Sequence, residues 1–348
     1  MLPSRRKGKG RITMQRITPY EFEQTLSRAC TPMMRYREDM PLTEWQASAR
    51  EKLAALLGWP YGVCDAAVNI EYKREEALWD EIRFTYQSEP GYTVPAHLLL
   101  PKGATKPLPV VICLQGHSKG MHISLGRPQY DGDAEMIRGD RDFAVQAVRR
   151  GFATLAIEQR NFGERGGTER GPACFRAAMN ALLLGRTVIG ERVWDICRAV
   201  DVLTDAFPQI DKERIYCMGQ SAGGTATFYA ACMDERIKAA MPSGAVCSFD
   251  SSIMAIEHCS CNYIPQIRLY FEMGDLGMLI APRPLVVVTG RADDIFPLDG
   301  VKEAVSRISA AYKADGCPDT LQLVIGDGGH RFYAEKAWRV FSKLVQEG

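Results

Sequence analysis

The stretch that most limits what this chain can fold into is Arg214 to Ala231, RIYCMGQSAGGTATFYAA. A short apolar run, Ile215 to Met218, meets Gly219-Gln220-Ser221-Ala222-Gly223 and continues in small, helix-compatible residues. That order reads as strand, sharp turn and helix, with a serine at the apex. The glycines are needed on steric grounds. A serine at such an apex takes a strained backbone conformation, and side chains at positions 219 and 223 would run into the neighbouring strand and helix. The turn pushes the Ser221 hydroxyl out at the carboxyl end of the strand. The amide of Ala222 opens the helix toward the same space, where the helix dipole favours negative charge. A bare G-x-S-x-G arises often by chance. The strand before it, the helix after it and the extra Gly224 make this copy informative.

The rest of the chain supplies the sheet that such a turn requires. Residues from about Thr18 to Leu57 read as two helices, opened by Pro19-Tyr20-Glu21-Phe22 and by Leu42-Thr43-Glu44-Trp45 and stopped at Gly58 and Pro60. Trp45, Leu53, Leu56 and Leu57 form their docking face. From Val68 the period changes to two: Val68–Tyr72, Glu81–Tyr86 and Thr93–Leu100 read as an antiparallel meander with a turn at Pro90-Gly91. From Pro109 buried strands alternate with helices. The strands are Val110–Leu114, Phe152–Ile157, the run before Ser221, Lys238–Met241, Pro284–Val288 and Leu321–Ile325, and helices are expected around 142–150, 190–206 and 333–345. This predicts an α/β fold, a mostly parallel sheet with right-handed crossovers, helices on both faces and antiparallel strands at the N-terminal edge. The division expected is 1–67, a basic tail and helical extension packed on the core, and 68–348, the main domain. A cap-like insertion is expected at about 246–283, where a plain surface excursion is the other reading.

Composition narrows the function. The 348 residues carry a net charge of only +1, so no overall field draws in nucleic acid. No apolar run approaches the length that spans a bilayer, and the basic start, Arg5 to Arg11, has no apolar run behind it that would make a secretory signal. Eleven cysteines, an odd number scattered through strands and helices, read as buried reduced thiols of a cytoplasmic protein. His258-Cys259-Ser260-Cys261 invites a metal reading. Its ligands are too crowded for an ordinary zinc loop and no partner pair of usual spacing accompanies it, so no metal is expected. Gly166-Gly167 lacks the G-K-[ST] of a phosphate loop.

A serine needs a base, and the base needs a carboxylate to orient it. Of five histidines only His258 and His330 follow Ser221, and His330 sits in the glycine-rich loop GDGGH directly after the last strand. The loop after Pro284–Val288 offers Asp293 and Asp294. Asp293 is favoured because it lies nearer the strand end and fits G-x-x-D-x-x-x-P, with Asp275 and Asp327 as weaker alternatives. The loop after Val110–Leu114, Gln115-Gly116-His117-Ser118, is the place for a second oxyanion donor, and the amide of His117 is the candidate. Gln115, Gly116 and Arg160 are candidate substrate contacts. Arg160 and Arg165 could instead tie their loop down with Glu158 and Glu164.

On the stretches LQGHSKGMH, AIEQRNFGERGG, GQSAGGTATFYAA, DLGMLIAPRPLVVVTGRADDIFP and GDGGH, the chain resembles the α/β-hydrolase superfamily. More narrowly it resembles acetyl xylan esterase and cephalosporin-C deacetylase-like hydrolases, next to the dienelactone hydrolase and prolyl-oligopeptidase groups. The resemblance implies Ser221 as nucleophile, Asp293 as acid, His330 as base, and the amides of His117 and Ala222 as oxyanion hole. It implies a serine esterase for short acyl groups such as acetyl, with acetylated carbohydrates as a substrate class and no cofactor. Many relatives carry His-Gly before the oxyanion residue where this chain has Gln115-Gly116. The alternatives are a prolyl-oligopeptidase-like peptidase, a thioesterase, or a non-catalytic ligand-binding protein on the same fold. The partner expected is a small ester, with neither nucleic acid nor membrane, and homo-oligomers are compatible with the extension.

Overall fold

The computed structural model describes residues 16–37 and 39–347, so the basic cluster at Arg5 to Arg11 lies outside the described residues. Helix α1 (Pro19–Ala29) starts at Thr18, whose hydroxyl accepts from the Glu21 amide while the Glu21 carboxylate accepts from the Thr18 amide. This reciprocal pair satisfies amides that a helix start leaves open. Helix α2 (Leu42–Leu57) buries Leu42, Trp45, Ala49, Leu53 and Leu57, spaced three or four apart on one stripe, and ends on Gly58 in the left-handed conformation.

Strands β1 (Asn69–Glu75), β2 (Trp79–Glu89), β3 (Tyr92–Pro101) and β4 (Leu108–Leu114) come next. They are followed by α3 (Asp133–Met136), α4 (Phe143–Val148), β5 (Ala153–Ile157), α5 (Cys174–Leu183) and α6 (Val188–Ala206). Then come β6 (Ile210–Gln220), α7 (Ala222–Met233), β7 (Ile237–Ser243), α8 (Ile267–Tyr270) and α9 (Met273–Gly277). The chain finishes with β8 (Leu285–Gly290), α10 (Leu298–Ala314), β9 (Leu321–Gly326) and α11 (Ala334–Glu347). The strands make one nine-stranded sheet in the order β1-β2-β3-β5-β4-β6-β7-β8-β9. The edge β1-β2-β3 and its junction with β5 are antiparallel, and β5 through β9 run parallel. From β4 the chain crosses to β5 on one side and later to β6 on the other. The carboxyl ends of such neighbouring strands leave a crevice where ligands bind in sheets of this kind.

The pleat divides the core. Val110, Ile112 and Leu114 face a cluster with α2, α6, α7, α9 and α10, while Val111 and Cys113 face Phe143, Ala147, Trp338 and Phe341 of α4 and α11. This is the layered α/β arrangement the alternation predicts. Helix α5 was not anticipated. Its inner face, Cys174, Ala178 and Ala181, is small, while Phe175, Leu183 and Leu184 stand exposed, so its apolar pattern does not mark a core face.

The 246–283 segment is largely a core element. Phe249, Ile253, Ile264, Phe271, Leu276 and Ile280 join the larger cluster. Its outer side receives the N-terminal extension: the Tyr20 hydroxyl donates to the Ala255 carbonyl at 2.9 Å, and the amides of Met33 and Met34 donate to Leu269 and Tyr270, each at 2.9 Å. Among the described residues no helix is long and apolar enough to cross a membrane. All eleven cysteines are unpaired.

Candidate active site

Ser221 stands between β6 and α7 with φ 56° and ψ −121°, a left-handed conformation that non-glycine residues seldom adopt. The surroundings hold it there. Its amide donates to the Ser243 carbonyl on β7 at 2.8 Å, and its carbonyl accepts from the Thr225 amide at 2.8 Å. A Cβ on Gly223 would lie 2.1 Å from the Leu114 carbonyl oxygen, and one on Gly219 would lie 2.4 Å from the Gly223 oxygen. The glycines are therefore obligatory, because α7 starts pressed against the ends of β4 and β6.

Two loops meet beside this turn. The loop after β8 carries Asp293 and the loop after β9 carries His330. Backbone bonds stitch the loops together: Arg291 donates to Gly326 at 2.8 Å and Ala292 to Gly328 at 2.9 Å. The Tyr333 hydroxyl closes the second loop by donating to Gly329 at 2.7 Å. Nδ1 of His330 lies 2.9 Å from Oδ2 of Asp293, and Oδ1 accepts from the amides of Ile295 and Phe296 at 3.0 and 2.9 Å. Asp293 is buried and Asp294 exposed, so of the adjacent pair it is Asp293 that reaches the imidazole. Asp275 is committed to the Glu272 amide and Arg307, and Asp327 pairs with Lys336 at the surface. With the carboxylate accepting from Nδ1–H, the neutral ring presents its lone pair at Nε2. Nε2 is buried and has no hydrogen-bond partner among the described residues, the Ser221 hydroxyl included. The Phe296 ring stacks on His330 at 5.8 Å, and His258 of the insertion packs on the other edge of Phe296 at 5.5 Å.

The loop after β4 closes over the serine. A Cβ on Gly116 would lie 3.2 Å from the Cβ of Ser221 and 2.8 Å from the Gln220 carbonyl oxygen. Among the described residues the amides of His117 and Ala222 make no backbone hydrogen bond. Gln115 is buried: its side-chain amide donates to Oε1 of Glu158 at 2.8 Å, and its backbone carbonyl accepts from Gln159 at 2.6 Å. Glu158 also accepts from the Met121 amide, at 3.1 Å to Oε1. Burial, with the neighbouring Glu164 adding repulsion, outweighs that amide and pushes the Glu158 carboxyl up to about 8. Glu158 is thus a buried acid that braces the loop after β4 from behind.

Arg160 was a candidate substrate contact, and here the structure differs. Its guanidinium is buried and donates to Asp195 at 2.9 and 3.0 Å and to Glu89 at 2.6 Å. Arg165 joins from the other side, at 2.6 Å from Asp195. Burial would raise the Asp195 carboxyl, but Arg165 and Arg160 more than offset it and hold it at about 2. The two arginines tie their loop down, through Asp195 and Glu89 in place of the Glu158 and Glu164 that sequence proximity suggested. Glu164 pairs with Arg83. A polar cavity of about 360 Å³ opens beside the same loop, lined by Arg83, His97, Lys119, His122, Arg127 and Glu158 among others, with neither Ser221 nor His330 in its wall.

His117 has a second set of neighbours. Its ring stacks on Phe162 at 5.9 Å, and its Nε2 lies 3.5 Å from Sγ of Cys261. Cys259 and Cys174 complete a group whose ligand atoms all fall within 4.8 Å of one another. The sequence displayed Cys259 and Cys261 side by side but gave no sign that His117 and Cys174 would join them.

Similar proteins share this architecture. In Bacillus subtilis (strain 168) the protein named "Putative hydrolase YtaP" is 28% identical over 242 residues, 68% of this chain and 77% of that one. The "putative acetyl xylan esterase" of Bacteroides fragilis NCTC 9343 superposes with a TM-score of 0.76 at 16% identity, over 95% of this chain and 91% of that one. A glucuronoyl esterase from Solibacter usitatus superposes with a TM-score of 0.66 at 17% identity, over 90% and 96%. The model of the abhydrolase family matches residues 9–346, which spans the strained serine turn, both loops that meet beside it and the sheet beneath them, and the chain belongs to that family.

Proposed function

We propose that this chain is a serine hydrolase of carboxylic esters with short acyl groups, acetylated carbohydrates being the substrate class. The observation that carries the reading is the 2.9 Å contact of His330 Nδ1 with buried Asp293, on two cross-stitched loops beside a strained Ser221. Fold likeness to structures named as acetyl xylan and glucuronoyl esterases supports the choice of ester.

In this mechanism Nε2 of His330 takes the hydroxyl proton as Ser221 Oγ attacks the ester carbonyl. Asp293 keeps the ring in the tautomer with Nε2 unprotonated and stabilises the imidazolium that forms. The tetrahedral oxyanion accepts hydrogen bonds from the amides of His117 and Ala222, the second reinforced by the start of α7. His330 returns the proton to the departing alcohol. Water, activated by the same nitrogen, then hydrolyses the acyl-enzyme. The mechanism requires the Ser221 hydroxyl and Nε2 of His330 to come within hydrogen-bond reach when substrate is bound.

The test is hydrolysis of p-nitrophenyl acetate, butyrate and octanoate, and of acetylated xylooligosaccharides, by wild type and Ser221→Ala. Turnover that declines with acyl length and vanishes in the variant supports the reading. A protein that neither turns over these esters nor reacts with a fluorophosphonate probe would overturn it in favour of ligand binding without chemistry.

A further inference from the structure

We propose that His117, Cys174, Cys259 and Cys261 form a structural zinc site that fastens the 246–283 insertion to the oxyanion loop. Three separate segments contribute: the loop after β4, the first residue of α5, and the short turn at 259–262 of the insertion. A tetrahedral zinc with bonds of about 2.3 Å to sulfur sets its ligand atoms about 3.8 Å apart. Here Cys261 Sγ lies 3.3 Å from Cys259 Sγ and 3.5 Å from His117 Nε2, and every pair falls within 4.8 Å. Three sulfurs and an imidazole in this compass suit zinc better than magnesium or calcium, which take oxygen. The group is sheltered, with Cys174 and Cys261 buried in a small apolar cluster with Ala178 and Val188.

A second observation comes from charge. Arg192 is 1% exposed, and its guanidinium donates to the Arg160 carbonyl at 3.0 Å and to Cys174 Sγ at 3.3 Å. Its Nη1 has no partner, and among the described residues no carboxylate pairs with it. A buried cation with no counter-charge is costly. Three thiolates on a divalent zinc leave one net negative charge, which neutralises Arg192 in place. Loading the site sends three thiol protons to solvent and changes no oxidation state.

The expectation of no metal rested on spacing along the chain, whereas these ligands are assembled by the fold. The consequence for the site is positional. The His117 imidazole would be anchored to zinc one residue beyond Gly116, which packs against Ser221.

The test uses the full chain, purified under reducing conditions and loaded with Zn²⁺. The expected result is one zinc per chain by mass spectrometric metal analysis, retained on desalting. Cobalt substitution should give the visible bands of a tetrahedral centre with thiolate charge transfer in the near ultraviolet. Cys174→Ser and Cys259→Ser should each lose the metal, and Cys317→Ser should keep it. Should the ligand variants misfold, thiol counting on the wild type decides: three fewer reactive thiols with zinc than after chelation. Wild type that retains no zinc, an octahedral cobalt spectrum, or equal thiol reactivity in both states overturns the proposal. Metal content is read equally well on Ser221→Ala, so this outcome is independent of whether the protein cleaves esters.

Discussion

A Cβ on Gly244 would stand 2.8 Å from Cε1 of His330 and 3.0 Å from its Nδ1. Gly244 follows the last residue of β7 at φ 52°, and its neighbour Ser243 accepts the Ser221 amide. One dipeptide therefore backs both the serine and the imidazole. Gly244→Ala is expected to displace the ring by a fraction of an ångström to an ångström and lower kcat about 100-fold, with a smaller change in KM. Steady-state kinetics on p-nitrophenyl acetate would check this, and an unchanged kcat would remove Gly244 from the support of the base.

Adjacent carboxylates give a sharper comparison. Asp293→Asn should lower kcat by about 10⁴, because an amide cannot hold the imidazole in the required tautomer. Asp294→Asn, at an exposed position, should stay near wild type. Equal losses in the two variants would contradict the 2.9 Å contact as the functional one.

Removing the proposed nucleophile or the proposed base should cost more than either. Ser221→Ala and His330→Ala are each expected to reduce kcat by about 10⁶, and the double variant hardly further, since the groups act as a unit. Additive losses would mean that they work in separate steps.

Glu158 gives the fold a pH dependence. Its carboxyl rises from 4.5 to about 8 on folding, so the native state keeps it protonated where the unfolded chain has already ionised it. This contribution to stability is full below pH 4.5 and is lost as pH climbs through about 8. Urea titrations at pH 5 and pH 8 should show the wild type losing more stability than Glu158→Gln over that interval. Parallel curves would show that Glu158 is ionised in the native state throughout.

Arg160→Met should separate anchoring from substrate contact. It leaves Asp195 buried with only Arg165, at a cost of about 3–5 kcal/mol. A large fall in Tm with KM little changed is the expected pattern. A raised KM at unchanged Tm would return Arg160 to the substrate.

The serine turn was legible because its glycines and serine are contiguous in the chain between an apolar run and small helix-forming residues, although the Leu114 carbonyl that demands Gly223 lies on another strand. The parallel strands were legible as apolar runs, and Asp293 and His330 as polar residues just past two of them. Gly244 was not, because nothing near it in the chain hints at the ring packed against it. Arg160 was misplaced for the same reason, as its partners come from β2 and α6 and not from its own loop. Helix α5 hid its buried face in alanines. The His117–Cys cluster shows the limit most plainly. Spacing identifies ligands that share a loop and is silent on those that share only a volume.

Helix α1 rests on a segment made long after it. Its bonds from Tyr20 to Ala255, Gln24 to Met254 and Ser27 to Asp250 span 235, 230 and 223 residues. At ribosomal speeds of about 5–20 residues per second, α1 waits roughly 10–50 seconds for its dock to be synthesised. Throughout that interval Gln24 and Ser27, buried in the finished protein, remain open to other chains and to chaperones. Helix α1 is thus made long before the segment it docks on, and its two buried polar side chains find their partners only once that segment has been synthesised.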